Sequence, residues 1–163
     1  MTMNQHYERD EDERAWLERT LTGDIPLGGA MDLTVARLDE DGVLLALPLA
    51  ANVNDKGTAF GGALASAMIL AGWSLPRLLM RRAGLKAELV IGRCEIRFTR
   101  PVAGAFEAFC PWPDTANCER FVRRLDEAGR ASLVLAPEIR ADGEVAATLS
   151  AKYAALGPSG SPS

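Results

Sequence analysis

Histidine is almost absent from this chain: its 163 residues contain one, His6. A Ser-His-Asp or Cys-His pair would have to recruit that residue from a chain end, the part of a domain that is usually least ordered. A zinc site built from several histidines is excluded outright. Cysteine is scarce too. Cys94, Cys110 and Cys118 are odd in number and form no Cys-x-x-Cys pair, which suits a reducing cytoplasm better than a disulfide framework. There is no excess of basic charge. A formal charge of −4 and an isoelectric point near 5.1 argue against a nucleic-acid footprint. The opening residues, Met-Thr-Met-Asn-Gln-His-Tyr-Glu-Arg-Asp, have no apolar core of the signal-peptide kind, so a cytoplasmic protein is expected.

What is present is an ordinary globular balance, 48% hydrophobic and 25% charged, in a length that suits one core. Residues 8–21 carry dense Glu, Asp and Arg, with Trp16, Leu17 and Leu21 at helical spacing. Residues 1–22 therefore read as an N-terminal segment holding an amphipathic helix on the domain surface. Gly23-Asp24-Ile25-Pro26-Leu27-Gly28-Gly29 is a turn-rich connector. The main domain is expected over residues 23–156. A Gly/Pro/Ser tail with nothing to bury, predicted to be disordered, follows over 157–163.

Six strands are predicted between these ends. Met31, Leu33 and Val35 alternate with polar neighbours, and Asp39-Glu40-Asp41-Gly42 turns the chain into Val43, Leu45, Leu47 and Leu49. Val90, Cys94, Ile96 and Phe98 alternate with Ile91, Arg93, Glu95 and Arg97, and Phe106, Ala108 and Cys110 follow a Val102-Ala103-Gly104 turn. Leu133 and Leu135 are expected to pair with Val145, Ala147, Leu149 and Tyr153 across Asp142-Gly143, a strong hairpin signal. Cys118, Phe121, Val122 and Leu125 share one helical face, which predicts a surface helix over 115–128.

Between the two groups of strands, Gly57 to Pro76 contains no charged residue. A membrane span needs about 20 apolar residues, so it competes with a core helix here. Thr58, Gly61, Gly62, Ser66, Gly72 and Ser74 interrupt the run, and its small residues let a sheet approach from several sides. A helix apolar all round, flanked by alternating strands, belongs in a core. It is predicted over Gly61–Leu75, with Pro76 ending or kinking it and Arg77, Arg81 and Arg82 emerging into solvent.

Strand, strand, buried helix, then further strands is the order of an α+β hotdog domain, an antiparallel sheet of about six strands wrapped around a long central helix. The residues make the resemblance specific. Asn54-Asp55-Lys56-Gly57-Thr58-Ala59-Phe60-Gly61-Gly62 resembles the loop that opens the central helix of hotdog thioesterases, where Asn, two residues, Gly, two residues and His-Gly-Gly are common. Ile96-Arg97-Phe98-Thr99-Arg100-Pro101-Val102 resembles the strand that follows that helix. With Leu70-Ala71-Gly72-Trp73, the stretch is most similar to the YiiD C-terminal thioesterase-like family over roughly residues 23–156.

The resemblance implies hydrolysis of an acyl-CoA or acyl-carrier thioester, with coenzyme A entering as part of the substrate and no other cofactor or metal. It implies a homodimer or a dimer of dimers, and neither nucleic acid nor membrane as partner. Gly61 and Gly62 would open the unpaired amides of the helix start to an acyl carbonyl. This chain departs from the family pattern in two places: the histidine position is Phe60, and the acid position in the helix is Ile69. The substitutes are on the loop. Asp55 is a candidate base or a solvated turn residue beside Lys56. Asn54 is a candidate orienter of water or carbonyl, or a loop staple. Gly57, Thr58, Phe60 and Ser66 are placed at the substrate, although a helical serine also bonds back to its own carbonyls. Arg97 and Arg100, with Arg93, suit phosphate contacts or are a solvated strand face. Two other functions stay open: a non-catalytic hotdog that binds an acyl thioester or a partner protein, and a hydratase-type enzyme, disfavoured because it would need a histidine.

Overall fold

The computed structural model describes residues 13–158. His6, residues 8–12 of the expected N-terminal helix and most of the expected C-terminal tail lie outside the described residues. Helix α1 covers residues 13–19 and closes in a π turn, Thr20–Asp24, and a short α2 follows at Pro26–Ala30. This segment is more deeply engaged than a surface helix: Leu17 on α1 and Leu21 in the π turn are fully buried.

β1 (Thr34–Leu38) and β2 (Gly42–Leu47) form the first hairpin. The Asp39 carboxylate accepts from the Asp41 and Gly42 amides and closes its turn. Gly42 has φ 150, and a Cβ there would run into the Cys110 carbonyl on the neighbouring strand, so this position needs glycine. A short 3-10 turn, Ala50–Asn52, leads to the loop before α3 (Gly61–Ala83). Then come β3 (Glu88–Phe98), β4 (Phe106–Pro111), α4 (Thr115–Ala128), β5 (Arg130–Leu135), β6 (Glu138–Ala141) and β7 (Glu144–Leu156). Helix α4 occupies the predicted range, capped by the Asp114 carboxylate accepting from the Asn117 amide at 2.7 Å.

All seven strands make one antiparallel sheet, ordered β1-β2-β4-β6-β7-β3, with β5 also paired to β7. The sequence hides β6. Asp142-Gly143 does turn a hairpin, both residues having positive φ, but it joins β6 to β7. Leu133 and Leu135 lie on β5 instead, opposite the far half of β7 at Tyr153 and Ala151. Pro137 separates β5 from β6, since proline cannot carry a ladder onward.

The sheet wraps α3, which is the hotdog arrangement. Leu64, Ala67, Met68, Ala71, Leu75 and Leu78 are buried with Leu45, Phe106, Ala108, Ile139, Leu149 and Tyr153 in a single cluster. Gly72 permits the closest approach: a Cβ there would sit 2.5 Å from the Tyr153 hydroxyl, which donates to the Ile69 carbonyl. By length and composition α3 could cross a membrane, but 61% of its apolar window is buried inside the protein.

Pro76 does not end α3. The helix runs on to Ala83, where Gly84 N–H bonds Arg81 O and Leu85 N–H bonds Met80 O in a Schellman closure. A proline inside a helix costs about 3 kcal/mol or more, and burial of Leu75, Pro76, Leu78 and Met80 offsets it. The arginines that follow reach the surface as expected, Arg82 exposed and Arg77 and Arg81 half-buried, but each has a partner there. Arg77 and Arg81 stack over the Trp16 ring at 4.9 and 4.8 Å, and Arg82 pairs with Glu13 at 2.7 Å while covering Trp112.

Burial pushes the Cys110 thiol up from 9.0 to about 12, and pushes the Tyr153 hydroxyl up as well. The fold holds both groups neutral, so the unfolded chain loses these protons first as pH rises. Stability should therefore be intact below pH 9 and fall between about 9 and 12, by about 1.4 kcal/mol per pH unit for each group in its window. Urea unfolding at pH 8, 10 and 11 measures this; equal midpoints at all three would contradict it.

Candidate active site at the start of the central helix

The loop entering α3 is pinned at both ends. Val53 and Ala59 form an isolated bridge, Ala59 N–H donates to Val102 O, and Phe60 N–H donates to Asn52 O. Asn54 is engaged inside the loop. Its carbonyl oxygen accepts from the Lys56 and Thr58 amides at 2.8 and 3.1 Å, and its amide nitrogen donates to the Thr58 hydroxyl at 2.8 Å. This is the loop-stapling role. Gly57, at φ 84, lets the turn close. Asp55 stands at the tip, its side chain 84% exposed and 3.6 Å from the Lys56 ammonium.

The loop delivers Gly61 and Gly62 as the first residues of α3. Phe60 O accepts from the Ala63 and Leu64 amides, whereas the Gly61 and Gly62 amides have no partner among the described residues. No side chain caps them. Two exposed rings flank this end. Phe60 lies over Gly62, where a Cβ would come within 2.5 Å of its Cε1, and Phe98 lies beside Gly61 at 3.8 Å from such a Cβ. Ser66, one turn into α3, is half-buried. Unlike Ser74, whose hydroxyl donates to Leu70 O, it makes no hydrogen bond among the described residues.

The strand arginines are not gathered here by this chain. Arg97 lies opposite Thr148 on the outer face of the sheet, and Arg93 opposite Lys152 on the same face. Arg100 pairs with Glu144. The sequence reading missed Phe98 as a neighbour of the glycines, and its only signal was that it ends the strand following the helix. It also missed Asn52, buried just before the loop, whose amide donates to Met31 O and Pro48 O. Among the described residues no cluster of His, Cys, Asp or Glu could hold a metal ion.

The site is thus a helix start with two free amides, a glycine surface and an apolar rim. Chemically it can hold an oxygen that develops negative charge, next to a greasy substituent. A separate groove of about 850 Å³ lies between the end of α3 and α4, lined by Leu79, Leu85, Trp112, Cys118 and Val122. Its Asp114 is spent on capping α4, and burial raises its Cys118 thiol, so it offers no activated nucleophile.

Residues 14–157 match the family described as "Putative thioesterase (yiiD_Cterm)". No curated protein matches the chain. Among solved structures, a protein of unknown function from Chlorobaculum tepidum TLS is 25% identical, with a TM-score of 0.87 over 91% of this chain and 96% of that one. A structure titled putative thioesterase from Shewanella oneidensis is also 25% identical, with a TM-score of 0.78 over 90% and 99%. A Pseudomonas aeruginosa protein titled probable thioesterase, at 22% identity and TM-score 0.73 over 88% and 95%, shares the fold.

Proposed function

Because the chain belongs to the "Putative thioesterase (yiiD_Cterm)" family, we propose that it hydrolyses an acyl thioester of coenzyme A or of an acyl carrier at the start of α3. The observation that carries this reading is the pair of Gly61 and Gly62 amides, without partners among the described residues, at a helix start that no side chain caps. Water adds to the thioester carbonyl carbon, and these amides hold the oxyanion that forms. The carbon–sulfur bond then breaks, and the thiolate takes the proton released by water. Well-aimed donors of this kind lower such a barrier by about 3–4 kcal/mol each.

In this reading Asp55 is the base and Asn54 positions it by holding the loop. Gly57 and Thr58 complete the loop against the substrate, and Phe60 and Ser66 contact the acyl group. Arg97 and Arg100 are the candidates for coenzyme A phosphates, Arg100 by exchanging its Glu144 partner. The working unit is a homodimer or a dimer of dimers. The cytoplasm is the proposed location, consistent with three free cysteines.

A chromogenic panel of short and medium acyl-CoAs tests the proposal, with turnover above buffer expected. Retained acyl-CoA binding without turnover would instead establish the non-catalytic binding module, which the absence of any carboxylate from α3 favours. Asp55→Asn should reduce kcat about 100-fold with little change in KM, the signature of a base acting in the transition state. An unchanged kcat would remove Asp55 from the mechanism.

A further inference from the structure

Between Leu64 and Leu75 every residue of α3 is buried except Ala65, Ser66, Ile69 and Trp73, which are half-buried. With the exposed Gly62 they recur every three or four residues, so they form one open stripe along the helix. The stripe starts at the glycines of the candidate site and stops after Trp73. One turn further on, Pro76 is buried and Arg77 lies over the Trp16 ring of α1 at 4.9 Å, so this end is closed.

Strand β3 supplies a second wall. Its register against β7 shifts between Ile91 and Arg93, with Gly92 as the extra residue. Ile91, Cys94, Ile96 and Phe98 therefore lie opposite Tyr153, Ala151, Leu149 and Ala147, which are buried on the side of α3. Strict alternation would have put Ile91 on the outer face with Arg93. The bulge keeps the inner face apolar or thiol and leaves Arg93, Glu95 and Arg97 on the outer one. Helix α3 packs on β3 without covering that inner face, since Ile91 and Phe98 remain 37 and 55% exposed. The strand starts just after α3 ends, and Phe98 at its far end stands beside Gly61, so it runs back along the helix. Stripe and strand together make a trough whose lining carries no charge.

We propose that this trough holds a straight alkyl chain of the substrate and that Trp73 is its end stop, limiting the chain to about eight to ten carbons. The inference deepens the thioesterase reading and rests on it: the carbonyl lies at Gly61 and Gly62, and the chain leaves it along the stripe. An alkyl chain suits an uncharged lining because it brings no polar group that burial would leave unpaired. The length follows from geometry. Helical rise places Trp73 about 16 Å beyond Gly62. A long helical side chain leans back toward the start of its helix, so the indole stands about one turn nearer and leaves about 11 Å. An extended chain advances about 1.2 Å per single bond, as a polypeptide does in covering 3.3–3.6 Å with three. That is room for about nine carbons.

S-alkyl thioethers of coenzyme A, which cannot be hydrolysed, test the trough apart from the chemistry. In calorimetry from butyl to hexadecyl, affinity should rise about two- to fourfold per methylene and level off at about eight to ten carbons. Trp73→Ala should move that limit out by about four carbons, the length of one helical turn. Ile69→Trp, which sets a ring one turn nearer the glycines, should move it in by about as much. Hydrolysis of the matching acyl-CoAs should follow the same profile in kcat/KM. Affinity that does not depend on chain length would mean that a protein surface covers the trough, and would overturn the proposal. So would a limit that stays in place in both variants. Binding with these limits but no hydrolysis would leave the trough standing and the thioesterase reading refuted, while hydrolysis indifferent to chain length would do the reverse.

Discussion

Gly61→Val is expected to lower kcat/KM for acyl thioesters by about 100- to 1000-fold while leaving the fold intact. A Cβ at Gly61 meets only the Phe98 ring, at 3.8 Å, an ordinary contact. Nothing in the backbone opposes the change, and α3 loses a residue type that weakens helices by roughly 0.5–1 kcal/mol. The methyl groups would nevertheless stand in front of the unpaired amides of the first turn. Losing one oxyanion donor costs about 100- to 1000-fold in rate. Steady-state kinetics beside thermal unfolding decide the matter. An equally stable variant with full activity would mean that the thioester carbonyl does not approach this turn.

The largest effect on stability is expected from Gly42→Ala. Two terms act in the same direction. The φ of 150 is a region that L side chains rarely adopt, at a cost of about 1–3 kcal/mol. The new Cβ also collides with the Cys110 carbonyl on β4, backbone that is held in register from Gly42–Pro111 to Leu47–Phe106 and cannot yield locally. Overpacking of this kind adds about 1–3 kcal/mol. A total near 4 kcal/mol should lower the melting temperature by about 8–16 °C for a chain of this size. Calorimetry measures it, and a change of less than 2 °C would show that the β2–β4 pair shifts freely.

Much of the architecture was legible because it rests on local rules. The charge-free run around Ala67 and Ala71 can only be a core helix once alternating strands surround it. The Cys118-Phe121-Val122-Leu125 stripe located α4, and Asp142-Gly143 marked a real turn. The entry loop was legible as well, since Asn54, Gly57, Gly61 and Gly62 each serve local backbone geometry. Where local rules gave way, packing was stronger. Burial carried α3 through Pro76 to Ala83, and the Trp16 ring drew Arg77 and Arg81 partly out of solvent while Arg82 stayed exposed. Strand β6 was missed because four residues between Pro137 and a turn carry too little pattern to register.

From the residues alone follow the fold class, the central helix, the helix-start glycines and the scarcity of catalytic histidine or helix acid. These depend on composition and on periodicity within single elements. The tertiary structure alone decided which residues share a face or a site. The Gly92 bulge turns Ile91 inward, a register fact set by the pairing with β7. Phe98 reaches Gly61 and Arg97 does not, because neighbouring residues on a strand project to opposite sides. Asn54 spends its hydrogen bonds on its own loop, leaving Asp55 exposed, because a turn closes first with the donors nearest to it. The open β3 edge was settled last, by which strands the chain had already paired with one another.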